Sequence, residues 1–324
     1  MNPDAPSSTD PVIAAAVVGD SIASDSSSGA TTQMTCKERL SLVLPAKNEA
    51  AGLATFLPRL RDMFPEAELV VVDDGSTDNT AALARAGGAT VVHHPFSLGN
   101  GAAIKAGARA ASGDILFFMD ADGQHEPEAI QAVLDKMAEG YDMVVGARDG
   151  ASQASLLRRI ANNFYNGFAS YMVGRQIPDL TSGFRAARSK PFKSILHLLP
   201  NTFSYPTTST MAFFRAGYVV GYVPIKVKRR VGKSHIKLLS DGGRFLLIIF
   251  KIGTLYSPLR IFFPVSLGFT ALGLLHYAYS FASTGRFTNM TALLFVTSVL
   301  IFMVGLVAEQ ITLLTYQGSQ REDS

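Results

Sequence analysis

From Leu40 to Gly146, short β-rich apolar runs alternate with stretches whose apolar positions recur at helical spacing. The runs predict strands at Leu40–Leu44, Glu68–Val72, Thr90–Val92, Ile115–Met119 and Asp142–Gly146, because β-branched and aromatic residues fit a pleated, half-buried surface. The intervening spacing predicts helices near Glu49–Phe64, Thr80–Ala86, Ala102–Ala111 and Pro127–Ala138. Asn79 or Thr80 is suited to cap the second of these, and Pro127 to open the last. Strands alternating with helices imply right-handed crossovers and a doubly wound, largely parallel α/β sheet. Beyond Gly150 the pattern loosens into one long helix, Leu156–Val173, then loops, then two apolar runs, Ile261–Ala282 and Ala292–Ala308.

These two runs contain no fixed charge and approach the ~20 residues that cross a bilayer. Only a short turn around Gly285–Asn289 separates them. They read as a transmembrane hairpin, against the alternative of two buried core helices, with Glu309 and Gln310 at the end of the second span where a charge costs less than at mid-membrane. Nine Lys or Arg lie in residues 226–260, while the turn carries Arg286 alone. The positive-inside rule then puts the α/β domain and both termini on the cytoplasmic side of the inner membrane. Arg244–Leu255 mixes Phe, Leu and Ile with Arg and Lys, as expected of a helix lying in the interface or of an ordinary docking helix.

Composition sharpens this division. The chain has 324 residues, 48% hydrophobic and 17% charged, and its mean hydropathy of +0.21 reflects the hairpin. Residues 1–36 hold eleven Ser or Thr and no Lys or Arg, which predicts a disordered tail. Val12–Val18 lacks the basic flank and the length of a signal peptide. A net charge of +3 argues against nucleic acid as a partner. A single cysteine, Cys36, excludes an internal disulfide and a cysteine-rich zinc site.

The polar residues collect where the strands end. Pro45-Ala46-Lys47-Asn48-Glu49 follows the first strand, Asp73-Asp74-Gly75-Ser76 the second, Asp120-Ala121-Asp122-Gly123-Gln124 the fourth and Arg148 the fifth. Open α/β sheets bind ligands outside the carboxyl ends of their strands. One acidic turn is ordinary turn chemistry, but two at one edge, with Glu49 beside them, suit a hard divalent cation that takes carboxylate and phosphate oxygens. Gln124 adds a neutral oxygen. His125 reads as a packing or hydrogen-bonding residue, and the pair His93-His94, placed in a loop before Pro95, has no partner cysteines for a zinc role. Gly99-Asn100-Gly101-Ala102-Ala103-Ile104 lacks the third small residue of a dinucleotide loop and follows the wrong strand. Backbone N–H groups from Ala102, with Lys105, could still attract an anion.

In this order the motifs LSLVLPAKNE (40–49), VVVDDGSTDNT (70–80), GNGAAIKAG (99–107), GDILFFMDADGQH (113–125), VVGARDG (144–150), DLTSGFRA (179–186) and RRVGKSHIK (229–237) resemble an inverting family 2 glycosyltransferase of the dolichyl-phosphate mannose synthase type. The hairpin resembles the anchor of its polyprenyl-phosphate branch. The resemblance implies a GT-A nucleotide-diphospho-sugar transferase fold over residues 37–238, an interfacial region at 239–258, a hairpin at 259–316 and a cytoplasmic tail at 317–324. It implies that Pro45, Lys47, Glu49, Val71 and Asp73 line the nucleoside pocket. Asp120, Ala121 and Asp122 would meet ribose, diphosphate and metal, with Asp122 and Gln124 as ligands of Mg²⁺ or Mn²⁺. Arg148, Arg159, Arg229 and Ser234 would handle the acceptor phosphate, and Asp122, Arg148 and Arg229 would carry catalysis. His235 stands where relatives often have a second basic residue. Phe203–Thr208, where some relatives are acidic, suggests a branch with its own donor sugar.

The expected reaction moves one sugar (mannose, glucose or N-acetylglucosamine) from a nucleotide donor to polyprenyl phosphate, and the anchor is compatible with a homo-oligomer. Two other readings share the strand-end acids. A processive polysaccharide synthase would usually carry a Gln-x-x-Arg-Trp motif, and the chain has no tryptophan. A membrane-tethered protein that binds nucleotide sugar without turnover would not need the Asp120–Asp122 pair together with Arg148.

Overall fold

A computed structural model describes residues 38–121, 128–148, 156–201, 205–226, 250, 253–254 and 256–321, with side chains left out at 156–162 and 315–321. The tail at 1–36, Pro127, His125 and nearly all of Arg244–Leu255 lie outside the described residues.

Among the described residues, seven strands form one sheet in the order β3-β2-β1-β4-β6-β5-β7. They are β1 (Leu40–Ala46), β2 (Glu68–Asp74), β3 (Thr90–His94), β4 (Ile115–Phe118), β5 (Met143–Arg148), β6 (Arg185–Arg188) and β7 (Val220–Ile225). β1 pairs in parallel with both β2 and β4, so the chain reverses its direction of travel across the sheet at β1. That reversal opens a crevice at the carboxyl edge. β6 runs antiparallel between β4 and β5.

Alternate residues feed two cores. Leu42, Leu44, Val71 and Phe117 face α1 (Ala50–Met63), α2 (Thr80–Ala86) and α4 (Glu128–Ala138). Val43, Val70, Val72 and Phe118 face α3 (Asn100–Ala110), α6 (Ser189–Ser194) and α7 (Tyr205–Arg215). α3 lies so close to the sheet that a Cβ at Gly107 would come within 2.4 Å of Val43 Cγ1.

Strands 1, 2, 3 and 5 each run about two residues past their expected ends. His93 and His94 therefore belong to β3 and not to a loop; they sit in register with Asp73 and Asp74 of β2, and the side-chain pairs prolong the ladder. Neither Asn79 nor Thr80 caps α2 through its side chain; Asp78 does, its carboxylate accepting from the Thr80 N–H at 3.0 Å. β6, β7, α6 and α7 have no counterpart among the expected elements. The motif at 179–186 overlaps β6 only at Arg185 and Ala186, and the strand, Arg185–Arg188, is four residues long, too short to show a periodicity of its own.

α5 (Leu156–Val173) ends where the spacing predicts. The two apolar helices are α8 (Leu259–Thr284) and α9 (Asn289–Arg321), joined by a turn at Gly285 with φ +67°. They pack against each other, and only 11% and 17% of their apolar windows are buried. Among the described residues they are therefore not packed as core helices of this chain. Ser266, Thr270 and Ser298 hydrogen-bond between them, satisfying hydroxyls that an apolar surrounding would leave unpaired. α9 continues past Glu309 to Arg321, and Glu309 lies level with the first turn of α8, whose Leu259 N–H donates to its carboxylate.

Candidate functional site

A cleft of about 380 Å³ opens at the carboxyl edge where β1, β2 and β4 end. Its walls are Pro45 and Ala46 at the end of β1 with Lys47 and Glu49 just after it, Asp74 at the end of β2, Ser97, Gly99, Asn100 and Ala103 around the start of α3, and Asp120 and Ala121 after β4. The volume lies within the range of small-molecule and cofactor sites.

Two loops are fixed by short polar side chains. Asn48, at φ +56°, accepts from the Thr77 N–H at 2.8 Å through Oδ1, while its own N–H donates to Ser76 Oγ at 2.9 Å. Asp74 holds the opposite wall: its carboxylate accepts from Ser97 Oγ, Leu98 N and Gly99 N at 2.7–3.0 Å and pairs with His94 Nδ1 at 2.8 Å. Burial raises the Asp74 carboxyl, but the His94, Ser97, Leu98 and Gly99 donors outweigh it and bring its pKa down to about 2. Gly75 lets the loops meet. It has φ +68°, and a Cβ there would lie 2.7 Å from the backbone of Phe96 and Ser97.

Five of the expected donor-binding residues, Pro45, Lys47, Glu49, Asp120 and Ala121, come together in this cleft. Val71 is fully buried in the core. Asp73 is buried behind the wall, where Ser76 N and His93 Nδ1 meet its carboxylate at 3.0 and 2.9 Å. Its neighbour Asp74, part of the same strand-end cluster, lines the cleft. The Asp73-Asp74 pair was the available signal, but which of two successive strand residues faces a cleft depends on the register. Asp122, Gln124, Arg229 and Ser234 lie outside the described residues, as does the Arg159 side chain.

Arg148 ends β5 with its guanidinium forked onto Asp179, Nε–Oδ2 at 2.7 Å and Nη2–Oδ1 at 3.0 Å, and with Thr181 as a further partner. Burial works against the Arg148 charge, yet the Asp179 carboxylate, with Asp120 adding at longer range, holds its pKa above the ordinary value. Asp179 opens the DLTSGFRA motif, and its role comes from a partner 31 residues away in the chain. Of the groups considered for an anion, the Ala102 N–H donates to Asn201 O at 2.8 Å and the Lys105 ammonium donates to Leu199 O at 3.1 Å and to Asn201 Oδ1. These bonds close the 199–201 turn onto α3.

The glycosyl transferase family 2 model matches residues 41–196, and the GtrB C-terminal hairpin model matches residues 257–314. The chain belongs to glycosyltransferase family 2. Among its relatives, glycosyltransferase AglJ of Haloferax volcanii is 29% identical over 255 residues, covering 76% of this chain and 83% of the relative. The undecaprenyl-phosphate 4-deoxy-4-formamido-L-arabinose transferase of Yersinia enterocolitica is 32% identical over 190 residues, 53% of this chain and 58% of that protein; the match thus spans little more than half of the latter's length. Among solved structures, glucosyl-3-phosphoglycerate synthase from Mycobacterium tuberculosis, crystallised with Mn²⁺, UDP-glucose and phosphoglyceric acid, superposes with a TM-score of 0.54 at 22% identity, covering 67% of this chain and 80% of that one. That likeness establishes the GT-A-like sheet of this family 2 glycosyltransferase. The cleft lies at the carboxyl edge of that sheet, and the two-helix hairpin follows it in the chain.

Proposed function

We propose that this glycosyltransferase moves one sugar from a nucleoside-diphosphate donor to a polyprenyl phosphate, with inversion, at the cytoplasmic face of the inner membrane. One observation carries the reading: a donor-sized cleft with Lys47, Glu49 and Asp120 in its wall belongs to the same folded unit as an apolar hairpin. Such a pairing suits one water-soluble and one membrane-borne substrate. The undecaprenyl-phosphate acceptor named for the Yersinia relative supports the same acceptor class, and the nine basic residues at 226–260 support the cytoplasmic side.

The acceptor phosphate is anionic at neutral pH, so it can attack the anomeric carbon without a strong general base. Arg148 presents its guanidinium at the strand edge, one-third exposed and oriented by Asp179, which suits it to phosphate oxygens. Arg159, Arg229 and Ser234 would complete that acceptor subsite. A divalent metal fits the donor set. Asp120 lines the cleft, and Asp122 and Gln124 follow within four residues, all hard oxygen donors of the kind Mg²⁺ and Mn²⁺ prefer. When bound, such an ion offsets the charge that grows on the departing diphosphate.

The test uses proteoliposomes containing the full chain, polyprenyl phosphate and a panel of labelled nucleotide sugars, with Mg²⁺ or Mn²⁺ or after chelation. A singly glycosylated lipid formed from one donor, and lost on chelation, is the expected product. A long polymer would indicate a processive synthase, and nucleotide binding without transfer would indicate a tethered binder; either rejects the proposal.

A further inference from the structure

Glu309 is an ionisable side chain inside an apolar helix. Such a group is costly in a bilayer and needs partners, and here it has three. Oε1 accepts from Arg215 Nη2 at 2.9 Å, while Oε2 accepts from the Leu259 N–H at 3.2 Å and from Ser257 Oγ at 3.5 Å. Both charged side chains are less than a fifth exposed, 18% for Arg215 and 17% for Glu309.

The three contacts join three elements. Leu259 opens α8, where the first N–H groups have no partner within the helix and a negative charge is favoured. Arg215 closes α7, where a positive charge is favoured for the opposite reason. A second clamp lies nearby: Arg260 Nη1 donates to the carbonyls of Tyr171, at 2.9 Å, and Met172 in the last turn of α5.

From Arg215, α7 runs back to the catalytic edge over 11 residues, about 16 Å at helical rise. Its first residue, Tyr205, donates through its hydroxyl to Gly183 O at 3.1 Å. A Cβ at Gly183 would lie 3.9 Å from Asp120 Oδ2, so this end of the helix abuts the cleft wall. The fully buried Arg185 fixes it there, with Nη1 donating to Pro206 O, Ser209 Oγ and Thr210 Oγ1 at 2.8–2.9 Å.

We infer that the Arg215–Glu309 pair positions the transfer site over the bilayer, with α7 as a strut between hairpin and cleft, so that both residues act as positioning residues for the membrane-borne acceptor. The inference rests on the transfer reading proposed above. A lipid phosphate is held at headgroup level, so a site tilted or displaced from that level loses the near-attack geometry. A water-soluble acceptor can follow the displaced site and loses nothing.

The experiment compares two acceptors in proteoliposomes of the full chain: long-chain polyprenyl phosphate in the bilayer, and a short-chain isoprenyl phosphate that dissolves in water. Arg215→Met leaves the Glu309 carboxylate buried without its counter-charge and is expected to lower kcat/KM for the embedded acceptor about tenfold. Activity with the soluble acceptor and the donor KM should stay within about twofold of wild type on the same scale. Arg215→Lys should restore most of the loss, and Arg215→Met with Glu309→Gln should be less impaired than the two single losses combined. Should Arg215→Met not fold, Glu309→Gln, close to isosteric, should show the same split at smaller size. Equal losses with both acceptors would make the pair merely structural, and no loss with the embedded acceptor would overturn the inference outright. A wild-type protein that glycosylates neither acceptor overturns the transfer reading itself, and this inference with it.

Discussion

Arg148 and Asp179 meet in a two-point ion pair, Nε–Oδ2 at 2.7 Å and Nη2–Oδ1 at 3.0 Å, that ties the end of β5 to the loop before β6. Asp179 is nearly buried, with 8% of its side chain exposed, and Arg148 is one-third exposed. The pair therefore has one face in the protein and one exposed at the carboxyl edge of the sheet.

Arg148→Lys keeps the charge but not the fork, and an ammonium cannot make both bonds in this planar geometry. Transfer should fall about 10- to 100-fold, the cost of a misplaced phosphate contact at roughly 1.4–2.7 kcal/mol. Arg148→Ala should lose more, because it also strands the Asp179 carboxylate. Combining Arg148→Met with Asp179→Asn should regain thermal stability relative to Arg148→Ala without regaining transfer. Steady-state kinetics and thermal unfolding of the purified protein separate the two effects.

Asp74 makes a prediction in pH. Its folded-state pKa is depressed from 3.8 to about 2, so its contribution to stability is present above pH 3.8 and is lost as the pH falls toward 2. The size is about 2 kcal/mol by linkage. Asp74→Asn should thus be less stable than wild type at pH 7, with the gap closing between about pH 4 and pH 2. Unfolding followed at several pH values checks this; a gap independent of pH would reject it.

Gly75→Ala should be poorly tolerated. The residue sits at φ +68°, and the added carbon would lie 2.7 Å from the Phe96 carbonyl carbon and the Ser97 nitrogen. Neither neighbour can move without shifting the loop that Asp74 holds. A loss of more than about 1 kcal/mol is expected from the backbone term alone, together with weaker binding of nucleoside diphosphate, measurable by calorimetry.

Asp122→Ala should abolish metal-dependent transfer and leave membrane insertion unchanged. Labelled-sugar transfer with added Mg²⁺ or Mn²⁺, and the membrane fraction of the expressed protein, report the two outcomes. Undiminished transfer would remove Asp122 from the metal site.

The sheet's first half was legible because its signals are local. Hydrophobic runs with crossover helices gave β1 to β5, and the polar residues just beyond each strand marked the carboxyl edge, where five of the expected donor residues do converge. β6 and β7 were not legible. Arg185–Arg188 is only four residues long and carries Arg at both ends, so its strand state comes from the two neighbours it pairs with and not from any periodicity of its own.

Sequence alone determined the doubly wound fold, the edge that bears the cleft and the two apolar spans, since each follows from spacing and residue type within a short window. Tertiary structure decided which of Asp73 and Asp74 faces the cleft, what holds Arg148, and where Glu309 finds its counter-charge. Those outcomes depend on strand register and on contacts 31 and 94 residues apart in the chain, distances over which side-chain pairing is set by packing and leaves no local pattern.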